Sequence, residues 1–108
     1  MTVKDLSRVE GLKAHHIADE NQPVKDIYCG DLLSDVMANA QENSALLTIQ
    51  GHKNTVAVAS LLGLSVIVLC NNRIPAADMI EAAESEDISI FSSSANHYRT
   101  ALAITPFL

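Results

Sequence analysis

Three short polar turns carry the residue types able to do chemistry. Gly30-Asp31 follows "VKDIYC", Gly51-His52-Lys53-Asn54 follows "ALLTIQ", and Asn71-Asn72-Arg73 follows "LSVIVLC". Each joins a strand-like apolar run to a helix-like amphipathic one. In parallel α/β sheets such turns gather at the strands' carboxyl edge, where ligands bind. Helix N-termini there offer free amides and the positive end of the helix dipole, which suit a phosphate or a carboxylate. Lys53, Arg73 and His52 add charge and donors. These nine residues are the candidate ligand-binding set. Each also has a purely structural use. Gly51 suits a sharp strand-to-helix turn, Asn54 a helix cap, and Asn71 and Asn72 a left-handed backbone. No Gly-rich loop of the nucleotide-binding kinds is present.

Other constellations are weaker. Cys29 and Cys70 both end strand-like runs and, with His52, supply metal-ligand types, but without close spacing, so no metal is assigned. His15 and His16 are adjacent on a strand-like segment, which sends them to opposite faces. His97 sits beside Tyr98 near a surface. Ser92 to Ser94 lack the Gly-x-Ser-x-Gly elbow of a nucleophile and read as helix caps. The acidic run "EAAESED" at residues 81–87 reads as a solvated helix face. No catalytic residue and no cofactor are expected.

The elements that must position the turns alternate regularly. Val3, Leu6 and Val9 recur at helical spacing behind Thr2, with Gly11 as a stop. "LKAHHIA" is a weak strand, "VKDIYCG" a short one, and "DLLSDVMANAQEN" a helix capped by Asp31 with Leu32, Leu33, Val36 and Met37 inward. "ALLTI" is a buried strand, and "NTVAVASLLG" a helix closed by Gly63. "LSVIVLC", continuously apolar and β-branched, has the pattern of a strand covered on both faces. Pro75 suits a helix start before "AADMIEAAESED". "ISIF" is the last strand and "SSSANHYRTALAI" the last helix, with Ser93 or Ser94 as cap. Strand–helix alternation of this kind predicts crossover units, a mostly parallel sheet and a three-layer α/β/α fold.

Length and charge bound the rest. The 108 residues suit one domain, and 48% apolar content with 4% aromatic residues suits tight helix-on-sheet packing. A net charge of −6 argues against nucleic acid, which needs clustered Lys and Arg. The start "MTVKDLSRVEG" lacks the apolar core of a signal peptide. The stretch from Thr55 to Cys70 is too short to span a bilayer and is broken by Gly63. Two cysteines are too few for a secreted disulfide scaffold. A cytoplasmic protein without membrane contact is expected.

Two segments, "IYCGDLLSDVMANA" and "LLTIQGHKNTVAVASLLGLSVIVLCNNRIPAADMIEAAESEDISIF", resemble the DRTGG domain family over about Val24 to Ile104. Members stand alone or serve as regulatory segments of phosphotransacetylases and of pyrophosphatases with CBS domains. The resemblance implies one domain over residues 1–108, similar to the N-terminal domains of HPr kinase/phosphorylase and MurF. It departs at the namesake residues. Gly51 to Asn54 stand where the family carries Asp-Arg-Thr, and Cys70, Asn71 and Asn72 where it carries Thr-Gly-Gly.

The leading reading is a non-catalytic regulatory module that binds a phosphorylated small molecule or nucleotide. Because related domains associate in pairs, the resemblance implies a homodimer, and the tail "TPFL" offers Phe107 and Leu108 to pack on their own domain or on a second subunit. A second reading, also implied by the resemblance, is a protein-interaction subunit of an iron–sulfur redox enzyme. The third is an enzyme acting on a phosphorylated substrate, with His52 as acid or base.

Overall fold

A computed structural model describes residues 1–108. Its centre is a five-stranded sheet of β1 (Leu12–His16), β2 (Asp26–Cys29), β3 (Ser44–Thr48), β4 (Val66–Leu69) and β5 (Ser89–Ser93), in the order β1-β5-β4-β3-β2. Strands β2 to β5 are parallel and β1 runs antiparallel beside β5. "LKAHHIA" therefore joins the main sheet, at one edge. Each parallel strand moves one place along the sheet through a helix: α1 (Leu33–Asn39), α2 (Lys53–Leu62) and α3 (Ala77–Glu86). Since such crossovers are right-handed, all three helices stack on one face. The chain then leaves β5 into α4 (His97–Ile104), which covers the other face with the 3₁₀ segment Val3–Arg8.

Side-chain alternation divides the core accordingly. Leu46, Ile67, Leu69 and Ile90 meet Val36 of α1, Val56 and Ala59 of α2, and Met79 and Ala83 of α3. Ala45, Leu47, Val66, Val68 and Phe91 point the opposite way, onto Val3, Leu6, Val9 and Ile104. This is the expected three-layer α/β/α arrangement, and the continuous burial of β3 and β4 follows from cover on both sides.

Several local expectations are corrected. The first helical segment is a short 3₁₀ turn, held where the Asp5 carboxylate accepts from the Thr2 amide at 2.9 Å. Asp31 does not cap α1; Leu32 holds that position and is 68% exposed, and Met37 is also turned to solvent, leaving Val36 as the helix's buried anchor. Asn54 lies inside α2, with His52 at the cap. Pro75 precedes the α3 cap Ala76 by one residue. Asn96 caps α4 by accepting the Arg99 amide at 2.9 Å, a role expected of Ser93 or Ser94. The expected glycine stop of α2 is present, Gly63 being left-handed at φ 70°.

Candidate functional site

The parallel order β2-β3-β4-β5 brings the three candidate turns and the β5–α4 connection to one edge of the sheet. Bonds between the turns lock them together. The Gly51 carbonyl accepts from the Ala76 amide at 3.1 Å, and a Cβ on Gly51 would lie 3.4 Å from the Ile74 carbonyl oxygen. The turn after β3 thus lies in van der Waals contact with the turn after β4. Asn71 and Asn72 adopt left-handed backbone (φ 59° and 57°), which lets their amides donate to the Ala95 and Ser93 carbonyls at 2.9 Å each. Their amides are committed to the β5–α4 turn and not open to a ligand.

Asp31 lies at the centre of this edge. Its Oδ1 accepts three hydrogen bonds: from the Ile49 amide at 2.8 Å, from Thr48 Oγ1 at 3.0 Å, and from His97 Nε2 at 3.0 Å. The Asp31 carbonyl accepts from Gln50 Nε2 at 3.0 Å, while the Gln50 carbonyl accepts from Thr55 Oγ1 at 2.8 Å. Asp31 therefore ties β2 to the ends of β3 and α2 and to the first turn of α4. Partial burial pushes its carboxyl pKa upward; the Ile49 amide, His97 and Thr48 outweigh that, and the net shift is downward. Asp31 is a carboxylate at neutral pH. Its other oxygen, Oδ2, makes no hydrogen bond, and the side chain is 41% exposed.

The remaining candidates differ in setting. Gly30 donates its amide to the Leu47 carbonyl at 3.0 Å, and a Cβ there would come within 3.0 Å of the Tyr28 ring. His52, Lys53, Asn54, Asn71, Asn72 and Arg73 are all exposed. Lys53 and Arg73 form no ion pair, so both charges are uncommitted. Lys53 leans, however, over an open groove of about 330 Å³ between α2 and α3, whose lining includes Asp78, Glu81 and Glu86. That groove is acidic and is walled mainly by α3. The histidine with an orienting carboxylate is His97, not His52. Its spacing from Asp31, 66 residues along the chain, carried no signal that pairs them.

The cysteines do not converge with His52. Cys70 is buried, its Sγ 3.9 Å from both Thr100 Oγ1 and the Val68 carbonyl; Cys29 is exposed. Desolvation raises both thiol pKa values, and the Asp31 charge raises that of Cys29 further. Both are protonated thiols at neutral pH and poor nucleophiles. The register of β1 shifts between Ala14 and His16; His15, at that irregularity, sets its Nε2 2.7 Å from Ser92 Oγ, and the buried His16 Nε2 has no partner.

No protein-family model matches the chain, and no curated protein matches it. A solved structure does. The chain is similar to the CBS and DRTGG domains of the regulatory region of Clostridium perfringens pyrophosphatase, solved with its activator diadenosine tetraphosphate. The TM-score is 0.77 at 13% identity, over 95% of this chain and 45% of that one. The fold is DRTGG-like. This chain spans less than half the length of that structure, and at this identity the likeness speaks for the fold. No helix is long and apolar enough to cross a membrane.

Proposed function

We propose that the protein is a non-catalytic regulatory module that takes a phosphorylated small molecule, an adenine nucleotide in the first instance, at the carboxyl edge of β2 to β5. The observation that carries the reading is the convergence of the candidate turns at one sheet edge with Arg73 exposed and unpaired. The fold of a nucleotide-activated regulatory region supports it. Asp31 and His97 act in this reading as the fixed floor of the site, and Arg73 and His52 as the groups that meet the phosphates. Lys53 contributes less, because its groove already holds three carboxylates. Isothermal titration with ATP and with diadenosine tetraphosphate tests the proposal. Binding of either, weakened about tenfold by Arg73→Ala, is the expected result. No heat with either compound contradicts it.

A protein-facing role is the second reading, and the exposed apolar side chains favour it. Leu32 on the α1 cap is 68% exposed, and Tyr98 and Leu102, one turn apart on α4, are 67% and 56% exposed. Pairing of two copies through such residues would make the module a homodimer. Sedimentation equilibrium checks this: a dimer mass is expected, and a monomer at every concentration contradicts it. An enzyme built on His52 has the least support, since the His52 side chain makes no capping bond and is exposed, with no carboxylate to orient it.

A further inference from the structure

The polar cluster at the sheet edge has one acceptor left over. Asp31 Oδ1 is saturated by Ile49, Thr48 and His97, which fixes the carboxylate in place, while Oδ2 is unbonded and reaches solvent. An anionic acceptor held in this way cannot take a phosphate oxygen, because two negative charges in contact repel. It can take hydroxyl donors, and hydrogen bonds to a charged acceptor are among the stronger ones. Resting on the nucleotide reading above, we propose that Asp31 Oδ2 receives the ribose hydroxyls, so that the module distinguishes ribonucleotides from compounds lacking the 2′- and 3′-hydroxyls.

The topology supports that division of labour. Asp31 follows β2 and Arg73 follows β4, with β3 between them. Adjacent strands lie about 4.8 Å apart, so the two turns are separated by about 10 Å along the edge. A nucleoside di- or triphosphate spans that interval, sugar at one end and terminal phosphates at the other. A bare phosphate does not. The held rotamer makes the carboxylate a preorganised acceptor, with little ordering cost left for the ligand to meet.

The test compares ATP with 2′,3′-dideoxy-ATP by isothermal titration on the unaltered protein. Loss of hydrogen bonds to a charged acceptor predicts binding of the dideoxy compound weaker by about ten- to a hundredfold. Asp31→Asn should reduce that discrimination to about twofold or less, while Arg73→Ala should weaken both ligands by a similar factor. Equal affinity for the two ligands on the unaltered protein overturns the hydroxyl assignment and leaves nucleotide binding standing. Absence of binding by either overturns both.

Discussion

At the scale of single residues, the account turns on Asp31. The folded state holds its pKa below the ordinary 3.8, so its contribution to stability is fully present above that value and is lost as pH falls through the folded pKa. The native protein should therefore lose stability as it is acidified from about pH 5 toward pH 3, and Asp31→Asn should lose less over the same window. Urea midpoints measured across that range check it; parallel curves would contradict it. Asn96 is a simpler case. Its side chain satisfies the Arg99 amide, so Asn96→Ala should cost about 1 kcal/mol, measured by equilibrium unfolding. Neither role was legible in the sequence. The reading that Asp31 caps the helix after it is the local use of an aspartate; the observed bonds cross to β3 and α4, at separations where residue type carries no information. Ser93 and Ser94 stand just before Asn96, and cap preference ranks serine and asparagine closely, so sequence does not single out the asparagine. The connections that carry the candidate residues do share one edge, as the alternation implied, yet Lys53 and Asn54 already belong to α2, and the amides of Asn71 and Asn72 are spent within the fold.

Elements were more legible than residues, for a physical reason. A strand covered on both faces must be continuously apolar, and a helix on a sheet needs only a periodic stripe. "LSVIVLC" and "ALLTI" announced β4 and β3 on that ground, and Gly63 announced the end of α2 because a left-handed stop favours glycine. Gly63→Ala should accordingly destabilise the protein by about 1–2 kcal/mol, through its φ of 70° and a built Cβ only 3.1 Å from Glu42 Cγ. A value near zero in thermal unfolding would mean that the turn relaxes. The segment α1 was read less well. Four apolar residues suggested a broad inward stripe, but a helix of seven residues at the sheet's β2 edge has room to bury only Val36 fully. The 3₁₀ geometry of Val3–Arg8 was likewise hidden, since Val3, Leu6 and Val9 are three apart and fit a three-residue turn as well as an α-helical one. Strand β1 was faint because its exposed edge carries Lys13 and two histidines in place of an apolar run.

For the whole molecule, right-handed connection of each parallel strand to its neighbour fixes which helices share a face and which turns share an edge. The chemistry is therefore concentrated at one end of the sheet, where Lys53 also opens onto the acidic groove between α2 and α3. Filling the far side of the sheet depends on Phe91, the largest fully buried side chain. Phe91→Ala should cost about 3–5 kcal/mol and threaten folding altogether, which denaturant titration would read directly. The central claim is that a nucleotide binds at the carboxyl edge of β2 to β5. The most direct measurement is a titration of the isotope-labelled protein with diadenosine tetraphosphate, followed through its backbone amide resonances. The account predicts saturable shifts concentrated at Gly30, Asp31, Gly51 to Asn54, Asn71 to Arg73 and His97. Shifts confined to the α3 wall of the acidic groove, Asp78 to Glu86, or no shifts at all, would contradict it.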